Sequence, residues 1–469
     1  MTDPEIPLPL EPYRIKTVEM VRRPDREERE RALERAGFNL FQLPAREVFI
    51  DLLTDSGTSA MSDQQWAALM IGDESYAGSR NYEHFERVVR ELTGMTEVVP
   101  VHQGRAAEHL LMESLVHPGD TVPNNMHFDT TRAHVLNRNA RALDLPVPEA
   151  LDLHSEHPFK GDLDVGALER LLAREPAGKV PLVLVTITNN TGGGQPVSLG
   201  NVRKVSEVCR SHRVPLVLDI CRWAENAYLS RERDPTLGSM TIREVGRAYF
   251  DLADAVYMSA KKDGLVNMGG FLAARDAALA ERWRERLILF EGFSTYGGLA
   301  RRDLEAIAVG LQEASEERYL AHRVAQIRYL ADLLGPEIPY LHPPGGHGLY
   351  LNAHAFFPHL SGEELPGQAL SVELYREGGV RSVELGEVMF GEVADQPTKH
   401  LPSLVRLAVP RRVYTASHLA YVAETIRRVW ARRQSVRGLR MVEAPPTLRH
   451  FLARFAPLET PPPVRTQSA

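Results

Sequence analysis

Apolar runs that alternate with helical segments constrain this chain more than any other feature of its sequence. Residues 180–188 form a nearly continuous run of β-branched residues and leucines, which is typical of a strand buried on both faces. Shorter runs follow at residues 214–218 and 252–257, with helix-like segments between them. Strands that alternate with helices predict an α/β fold built on a mainly parallel sheet.

Polar residues follow these three predicted strands. Asn190 comes after the first strand, Asp219 after the second and Lys262 shortly after the third. Sheets of this kind bind their ligands at the carboxyl ends of the strands. We therefore expect these side chains to face one site.

Lys262 is the second of two adjacent lysines that stand between two apolar, strand-like runs. Each amine raises the cost of protonating the other, and desolvation acts in the same direction, so a lysine here can be neutral near pH 7. A neutral lysine is the nucleophile that a Schiff base requires. A solvated turn would carry the same two residues, so the neighbouring motifs must decide between the two interpretations.

A predicted strand at residues 97–101 leads into Gly104 and Arg105, which open a predicted helix. The free N–H groups of a helix start bind phosphate, and Arg105 adds a charged donor. Arg222 follows Asp219 by three residues. Together these features meet the needs of pyridoxal 5'-phosphate (PLP): a lysine, an aspartate at the end of a buried strand, an arginine and a phosphate site. The ring of PLP accepts electrons while a carboxylate keeps its nitrogen protonated.

Composition limits the possible partners and compartments. The chain of 469 residues has a net charge of −7, which argues against a nucleic-acid or anionic-membrane partner. Cys209 and Cys221 are the only cysteines, so a disulfide framework and a thiolate metal site are not expected. There is no apolar leader and no apolar run of membrane length. We expect a cytoplasmic protein that acts on a small molecule.

The order of predicted elements suggests four regions. Residues 1–45 are an N-terminal arm with part of a small domain, 46–330 a large PLP-binding domain, 331–460 a C-terminal small α+β domain and 461–469 a disordered tail. A single long helix is predicted over residues 302–334, and a strand over 380–385.

Several long motifs resemble those of the β-eliminating lyases. The motifs are Tyr76 and residues 50–58, 72–74, 102–105, 193–198, 225–228, 261–263 and 295–299. The resemblance extends from residue 12 to residue 451 and implies fold type I of the PLP-dependent transferases, which is aspartate-aminotransferase-like. It also implies a homotetramer with sites near the subunit interfaces.

The resemblance implies a role for individual residues. For the cofactor, Lys262 binds PLP, Gln103, Gly104, Arg105 and Ser259 bind its phosphate, Phe128 stacks on its ring, Asp219 pairs with its nitrogen, and Asn190 and Arg222 lie near its 3-oxygen. For the substrate, Arg406 grips the carboxylate with Thr54 and Ser56, and Tyr76 acts in acid catalysis. Glu74 and the main-chain oxygens of Gly57 and Asn267 match an activating potassium site.

Three positions favour tryptophan over tyrosine as the substrate. The tyrosine-cleaving branch of the family has threonine at Asp129, arginine at Leu385 and two phenylalanines at His450 and Phe451. An indole protonated at C3 carries a charged N–H, which a carboxylate suits. We therefore expect β-elimination of L-tryptophan to indole, pyruvate and ammonia, with His450 and Asp129 assisting Tyr76 and with Leu385 and Phe451 lining the substrate site.

Other features leave alternatives open. Residues 60–63 and 271–272 resemble the tyrosine-cleaving branch, so cleavage of L-tyrosine to phenol is the nearest alternative. Cys221 and Trp223 depart from the family pattern beside Arg222. A PLP-dependent aminotransferase is an alternative from another reaction class, and a protein that only binds PLP is the non-enzymatic one.

Overall fold

The computed structural model describes residues 9–391 and 402–458. Its helices are α1 Arg26–Arg35, α2 Asp63–Ile71, α3 Arg80–Thr93, α4 Gly104–Leu115, α5 Asp129–Asn137, α6 Val165–Arg174, α7 Leu199–His212, α8 Trp223–Arg233, α9 Ile242–Phe250, α10 Ala277–Phe290, α11 Asp303–Glu313, α12 Glu317–Leu334, α13 Ala353–Phe356, α14 Pro366–Gly378 and α15 Ala416–Ala431. Its strands are β1 Ile50–Asp51, β2 Glu97–Val101, β3 Thr121–Asn124, β4 Arg141–Asp144, β5 Val183–Thr186, β6 Leu216–Asp219, β7 Ala255–Ser259, β8 Gly270–Ala274, β9 Gly348–Asn352, β10 Val380–Arg381, β11 Val383–Leu385, β12 Leu404–Ala408, β13 Leu439–Glu443 and β14 Arg454–Pro457.

The main sheet has the strand order β2-β8-β7-β6-β5. Strands β5, β6 and β7 are parallel neighbours, while β8 is antiparallel both to β7 and to β2. Strand β2 therefore runs in the same direction as β5, β6 and β7. The predicted α/β fold with a mainly parallel sheet is confirmed, with β8 as the strand that runs in the opposite direction.

Both faces of this sheet are buried, which explains why its strands read as continuous apolar runs. Val217, Tyr257 and Leu272 contribute to one hydrophobic cluster, together with residues of α4 and α10. Leu218 and Val256 contribute to a larger cluster on the opposite face. Because side chains alternate along a strand, Asp219 and Ser259 at the strand ends fall on the α4 face.

The second, smaller group of elements surrounds the antiparallel sheet β11-β12-β9. Its hydrophobic cluster joins residues 32–52 of the N-terminal region to residues 327–455. Separate clusters on the two sides support the division into a large and a small domain, and this division stays a prediction. The predicted disordered tail at residues 461–469 lies outside the described residues.

Two predictions about local structure are wrong. The single helix over residues 302–334 is two helices, α11 and α12, because the backbone of Glu316 is extended, with ψ of 120°, and interrupts the helix between them. The strand over residues 380–385 is also two strands. Strand β10 pairs with β1, whereas β11 pairs with β12, so the chain changes sheets at Ser382.

Among residues 9–391 and 402–458, no helix is long and apolar enough to cross a membrane.

Candidate active site

A pocket opens at the carboxyl ends of the strands of the main sheet. It brings together most of the predicted cofactor and substrate residues, which are Thr54, Ser56, Gln103, Gly104, Arg105, Phe128, Asp129, Asn190, Asp219, Arg222, Ser259, Lys262, Arg406, His450 and Phe451. Phe41, Lys261 and Met389 also line it. Some of these residues belong to the elements around the main sheet, and others to the elements around the smaller sheet β11-β12-β9. The pocket therefore lies between the two sheets.

The lysine pair lies on a tight turn directly after β7. Lys261 donates a hydrogen bond from Nζ to Oε1 of Gln103 at 2.9 Å. Burial lowers the pKa of Lys261 to about 8, and the charges of Lys262 and Arg105 act in the same direction. The effect expected of an adjacent amine is therefore present at Lys261.

The start of α4 has the features of a phosphate site. Gln103 is the N-cap residue, and its side chain makes no capping hydrogen bond. A Cβ atom on Gly104 would lie 2.5 Å from Cβ of Ser259, so only glycine permits this approach of helix and strand. The hydroxyl of Ser259 is buried and has no hydrogen-bond partner within the described chain. An uncapped helix start beside a free hydroxyl and the amine of Lys261 fits the phosphate of PLP.

Asp219 ends β6 at the floor of the pocket. Its Oδ1 atom accepts a hydrogen bond from the backbone N–H of Cys221 at 3.0 Å, which fixes the carboxylate next to the pocket. It is paired in register with Thr186 of β5 and Tyr257 of β7. A carboxylate held in the middle of the sheet, one strand away from the lysine turn, fits a ring nitrogen that must stay protonated.

The two departures from the family pattern beside Arg222 are both buried, and Cys221 lines the pocket. Cys221 accepts a hydrogen bond at Sγ from the backbone N–H of Ser259 at 3.1 Å, and burial raises the pKa of its thiol. Trp223 is buried in the cluster on the opposite face of the sheet. Gly246 provides the space for it, since a Cβ atom there would lie 2.7 Å from the indole ring.

Arg222 belongs to a buried network of ion pairs behind the pocket. Its Nε and Nη2 atoms bind both carboxylate oxygens of Asp55, at 3.0 and 2.7 Å. Arg411 bonds to Asp55, Glu225 and Asp263, at 2.9, 2.7 and 2.9 Å, and Arg323 bonds to Glu225 at 3.0 Å. Three arginines thus offset three carboxylates in the interior, and Asp263 ties the lysine turn to this network.

Arg406 lies opposite the lysine turn, on β12 of the smaller sheet. Its Nη1 atom donates to Oδ1 of Asn190 at 2.9 Å and its Nη2 atom to the carbonyl of Leu53 at 3.1 Å. Its Nε atom is buried and has no hydrogen-bond partner among residues 9–391 and 402–458. The guanidinium carbon lies 5.9 Å from the centre of the Phe128 ring. This arginine is oriented by two acceptors and retains a free donor, as a carboxylate site requires.

Asp129 and His450 form a buried pair at the opening of the pocket. Nε2 of His450 lies 2.9 Å from Oδ2 of Asp129, although the two residues are 321 positions apart. The rings of Phe41 and Phe451 lie 4.8 Å apart beside them, and the ring of Phe41 lies 5.6 Å from that of His450. The pair combines a carboxylate and an imidazole with an aromatic wall.

Five predicted site residues do not line this pocket. Tyr76 is 62% exposed and packs on Phe293 and Tyr296. Leu385 is buried in an apolar cluster beneath the pocket. Glu74 forms a 3.3 Å ion pair with Arg302, and Asn267 donates from Nδ2 to the carbonyl of Gly57 at 3.1 Å. Gly57 and Asn267 thus lie together, and Glu74 has a separate partner.

Sequence reasoning missed Phe41, Met389, Asp55 and Arg411. Asp55 lies within residues 50–58, one of the motifs that resemble the family, and Arg411 lies five residues after Arg406. Their closeness in sequence to predicted site residues is a signal that could have identified both. Phe41 and Met389 have no such signal, because tertiary packing alone brings these two residues to the pocket.

Two solved structures show which fold the chain has. A serine palmitoyltransferase from S. paucimobilis, with bound PLP–myriocin, aligns over 81% of this chain and 88% of its own with a TM-score of 0.54 at 15% identity. A threonine aldolase from Leishmania major aligns over 81% and 100% with a TM-score of 0.56 at 14% identity. The chain has fold type I of the PLP-dependent enzymes, as predicted.

Sequence comparison gives the family. Residues 51–425 match the Beta-eliminating lyase family, and the chain belongs to it. A tryptophanase from Hyphomonas neptunium is 51% identical over 95% of this chain and 98% of its own length. A tryptophanase from Salinibacter ruber is 50% identical over 96% and 95%, and a tyrosine phenol-lyase from a Symbiobacterium species is 47% identical over 96% and 98%. The protein is a PLP-dependent carbon–carbon lyase, so the predicted enzyme class is confirmed.

Proposed function

We propose that this lyase eliminates the side chain of L-tryptophan and forms indole, pyruvate and ammonia. The observation that carries the proposal is the buried pair of Asp129 and His450 in the pocket of Lys262 and Arg406. Tyrosine cleavage would need donors for a dienone oxygen at this place, whereas a carboxylate suits the charged N–H of a protonated indole. The tryptophanases at about half identity agree with this choice.

PLP, when bound, supplies an electron sink for the bond cleavages at the substrate. The residues of the start of α4, with Ser259, would hold its phosphate, and Asp219 would hold a proton on its ring nitrogen. Phe128 would cover one face of its ring, and Lys262 would link to it covalently. Asn190 and Arg222 also line the pocket and would lie near its 3-oxygen.

Arg406 would bind the substrate carboxylate through its free Nε donor, while Asn190 and Leu53 keep its guanidinium in place. Thr54 and Ser56 line the same side of the pocket and would add hydroxyl donors. Lys262 lines the same pocket, and its amine, when it is not linked to the cofactor, would take the proton from Cα.

Protonation at C3 of the indole turns the side chain into a leaving group. Asp129 would stabilise the charge that spreads to the indole N–H, and His450 orients the carboxylate by its hydrogen bond to Oδ2. Phe41 and Phe451 supply apolar contacts for the ring and exclude water. Tyr76 would hold the proton for C3.

Tyr76 cannot act from the pocket wall of its own chain, because it does not line it. We propose a homotetramer in which a second copy brings Tyr76 to the site. Exposed apolar side chains on α2, namely Trp66, Met70 and Ile71, support such an interface. We also propose a cytoplasmic location. We further propose a potassium site at the main-chain oxygens of Gly57 and Asn267, which Glu74 would join by giving up its ion pair with Arg302.

The test is the release of indole and pyruvate from L-tryptophan by the PLP-loaded protein in potassium buffer. We expect equal amounts of the two products and none from Lys262→Ala. A protein that shows PLP absorbance but releases no product from any aromatic amino acid would contradict the proposed function.

A further inference from the structure

Glu108 is a buried carboxylic acid for which the proposed chemistry gives no role. It lies on α4, four residues after Gly104, so the two residues occupy the same face of the helix one turn apart. Glu108 is 5% exposed. A carboxyl group in such a place must be neutral or paired, because an isolated buried charge is costly.

The geometry of α4 against β7 places Glu108 above the centre of the sheet. Gly104 touches Ser259, as the 2.5 Å approach of its hypothetical Cβ atom shows. One helical turn advances by about 5.4 Å, and two strand residues advance by about 6.6 Å. Glu108 therefore stands opposite Tyr257, two residues before Ser259 on the same face of β7. Tyr257 is paired in register with Asp219.

Glu108 also joins α4 to the start of α5. Thr131 donates a hydrogen bond from Oγ1 to Oε1 of Glu108 at 2.5 Å. Helix α5 begins directly after Phe128, with Asp129 in its first turn. The second carboxyl oxygen of Glu108, Oε2, is buried and has no hydrogen-bond partner in the described part of the chain. One side chain thus connects the helix of the phosphate site to the residues proposed to contact the ring and the substrate.

We infer that Glu108 is a positioning residue of this site, which fixes the start of α5 against α4 and sets the electrostatic surroundings of Asp219. The inference rests on the proposed function, since it concerns the residue that would pair with the ring nitrogen of PLP.

The charges around Glu108 agree with this role. The pKa of Glu108 is raised to about 7. Burial is the largest cause, the hydroxyls of Thr131 and Thr130 and the charge of Lys262 act against it, and the charge of Asp219 acts with it. Burial and the charges of Asp219 and Glu108 hold the pKa of Tyr257 well above its usual value. Below pH 7 Glu108 is neutral, and above it a second negative charge lies on the side of Asp219.

The experiment follows the absorbance of bound PLP across the pH range around 7 in the wild type and in Glu108→Gln. Glutamine retains the shape and can accept the hydrogen bond of Thr131, but it cannot ionise. We expect the wild type to show a spectral component with a midpoint near 7 that Glu108→Gln lacks. Glu113→Gln is the matched control, because Glu113 lies on the same helix, paired with Arg138, and should leave this component unchanged.

Thr131→Val provides a second, independent variant. The hydrogen bond of Thr131 lowers the pKa of Glu108, so its loss should move the component to higher pH. Identical titrations of the wild type and Glu108→Gln would overturn the inference. If Glu108→Gln loses PLP at every pH, an unmoved component in Thr131→Val would show a merely structural role and overturn it as well. A wild type that binds no PLP would instead contradict the proposed function itself.

Discussion

Arg406 shows how a single side chain is prepared for its ligand before the ligand arrives. Two of its nitrogens are already bound to Asn190 and Leu53, and Nε has no partner among the residues that the structure describes. A lysine has the same charge, but it lacks the planar fork that makes these contacts simultaneously. The arginine is therefore required by its geometry as well as by its charge.

Arg406→Lys should lower kcat/KM for L-tryptophan by about 10- to 100-fold, since hydrogen bonds to charged groups contribute about 1.5–3 kcal/mol. Steady-state kinetics measure this loss. Arg428→Lys is the control, because Arg428 is exposed on α15, where it pairs with Glu424. Equal kinetics of the two variants would remove Arg406 from the substrate site.

Lys261 makes the stability of the PLP-free protein dependent on pH. Its pKa of about 8 in the folded chain lies below the usual value of 10.5. Between these values the unfolded chain binds more protons, so stability rises with pH in this window, and the cost of charging Lys261 is present below it. Lys261→Gln should therefore have a higher melting temperature than the wild type at pH 7. The difference should shrink as the pH rises through 8 towards 10.5, and a difference that is constant with pH would contradict this account.

At the scale of elements, the sequence predicted those strands and helices whose signal lies in their own residues. The buried strands β5, β6 and β7 were predictable, because strands covered on both faces must be apolar along their whole length. The break between α11 and α12 was not, because it depends on the extended backbone of Glu316, a residue that carries no helix-breaking signal of its own. The same holds for the site. Residues at strand ends were found, whereas the contact of Phe41 with Phe451 depends on chain segments 410 positions apart.

The contact between α4 and β7 gives an element-scale prediction. Gly104→Ala places a methyl group against Ser259 and should push the helix start away from the strand, at a cost of about 1–3 kcal/mol from overpacking. PLP affinity, measured by absorbance titration, should fall together with the melting temperature. Gly200→Ala is the matched control, because Gly200 lies in the first turn of α7 with open space around its hypothetical Cβ atom. A Gly104→Ala protein that binds PLP normally would show that the close approach is not needed.

At the scale of the whole molecule, the exposed faces and the position of Tyr76 bear on the proposed assembly. Helix α2 exposes Trp66, Met70 and Ile71, and the end of α10 exposes Ile288, Leu289 and Phe290. Apolar surface of this kind is usually covered by a partner. A symmetric interface would bring each Tyr76 towards the second copy and complete both sites equally.

Mixed subunits test this arrangement. Lys262→Ala and Tyr76→Phe should each be nearly inactive alone. Dissociated and reassembled together, they should regain about a quarter of the wild-type activity, because half of randomly formed pairs are mixed and each mixed pair has one intact site. A mixture that stays inactive would place Tyr76 in the site of its own chain or outside the reaction.

Substrate preference is the central claim, and one measurement tests it most directly. The PLP-loaded protein is given an equimolar mixture of L-tryptophan and L-tyrosine in potassium buffer, and indole, phenol and pyruvate are measured from the same sample. The pairing of Asp129 with His450 predicts that indole exceeds phenol, with pyruvate equal to their sum. An excess of phenol would contradict the account and show that this pair does not set the preference of the site.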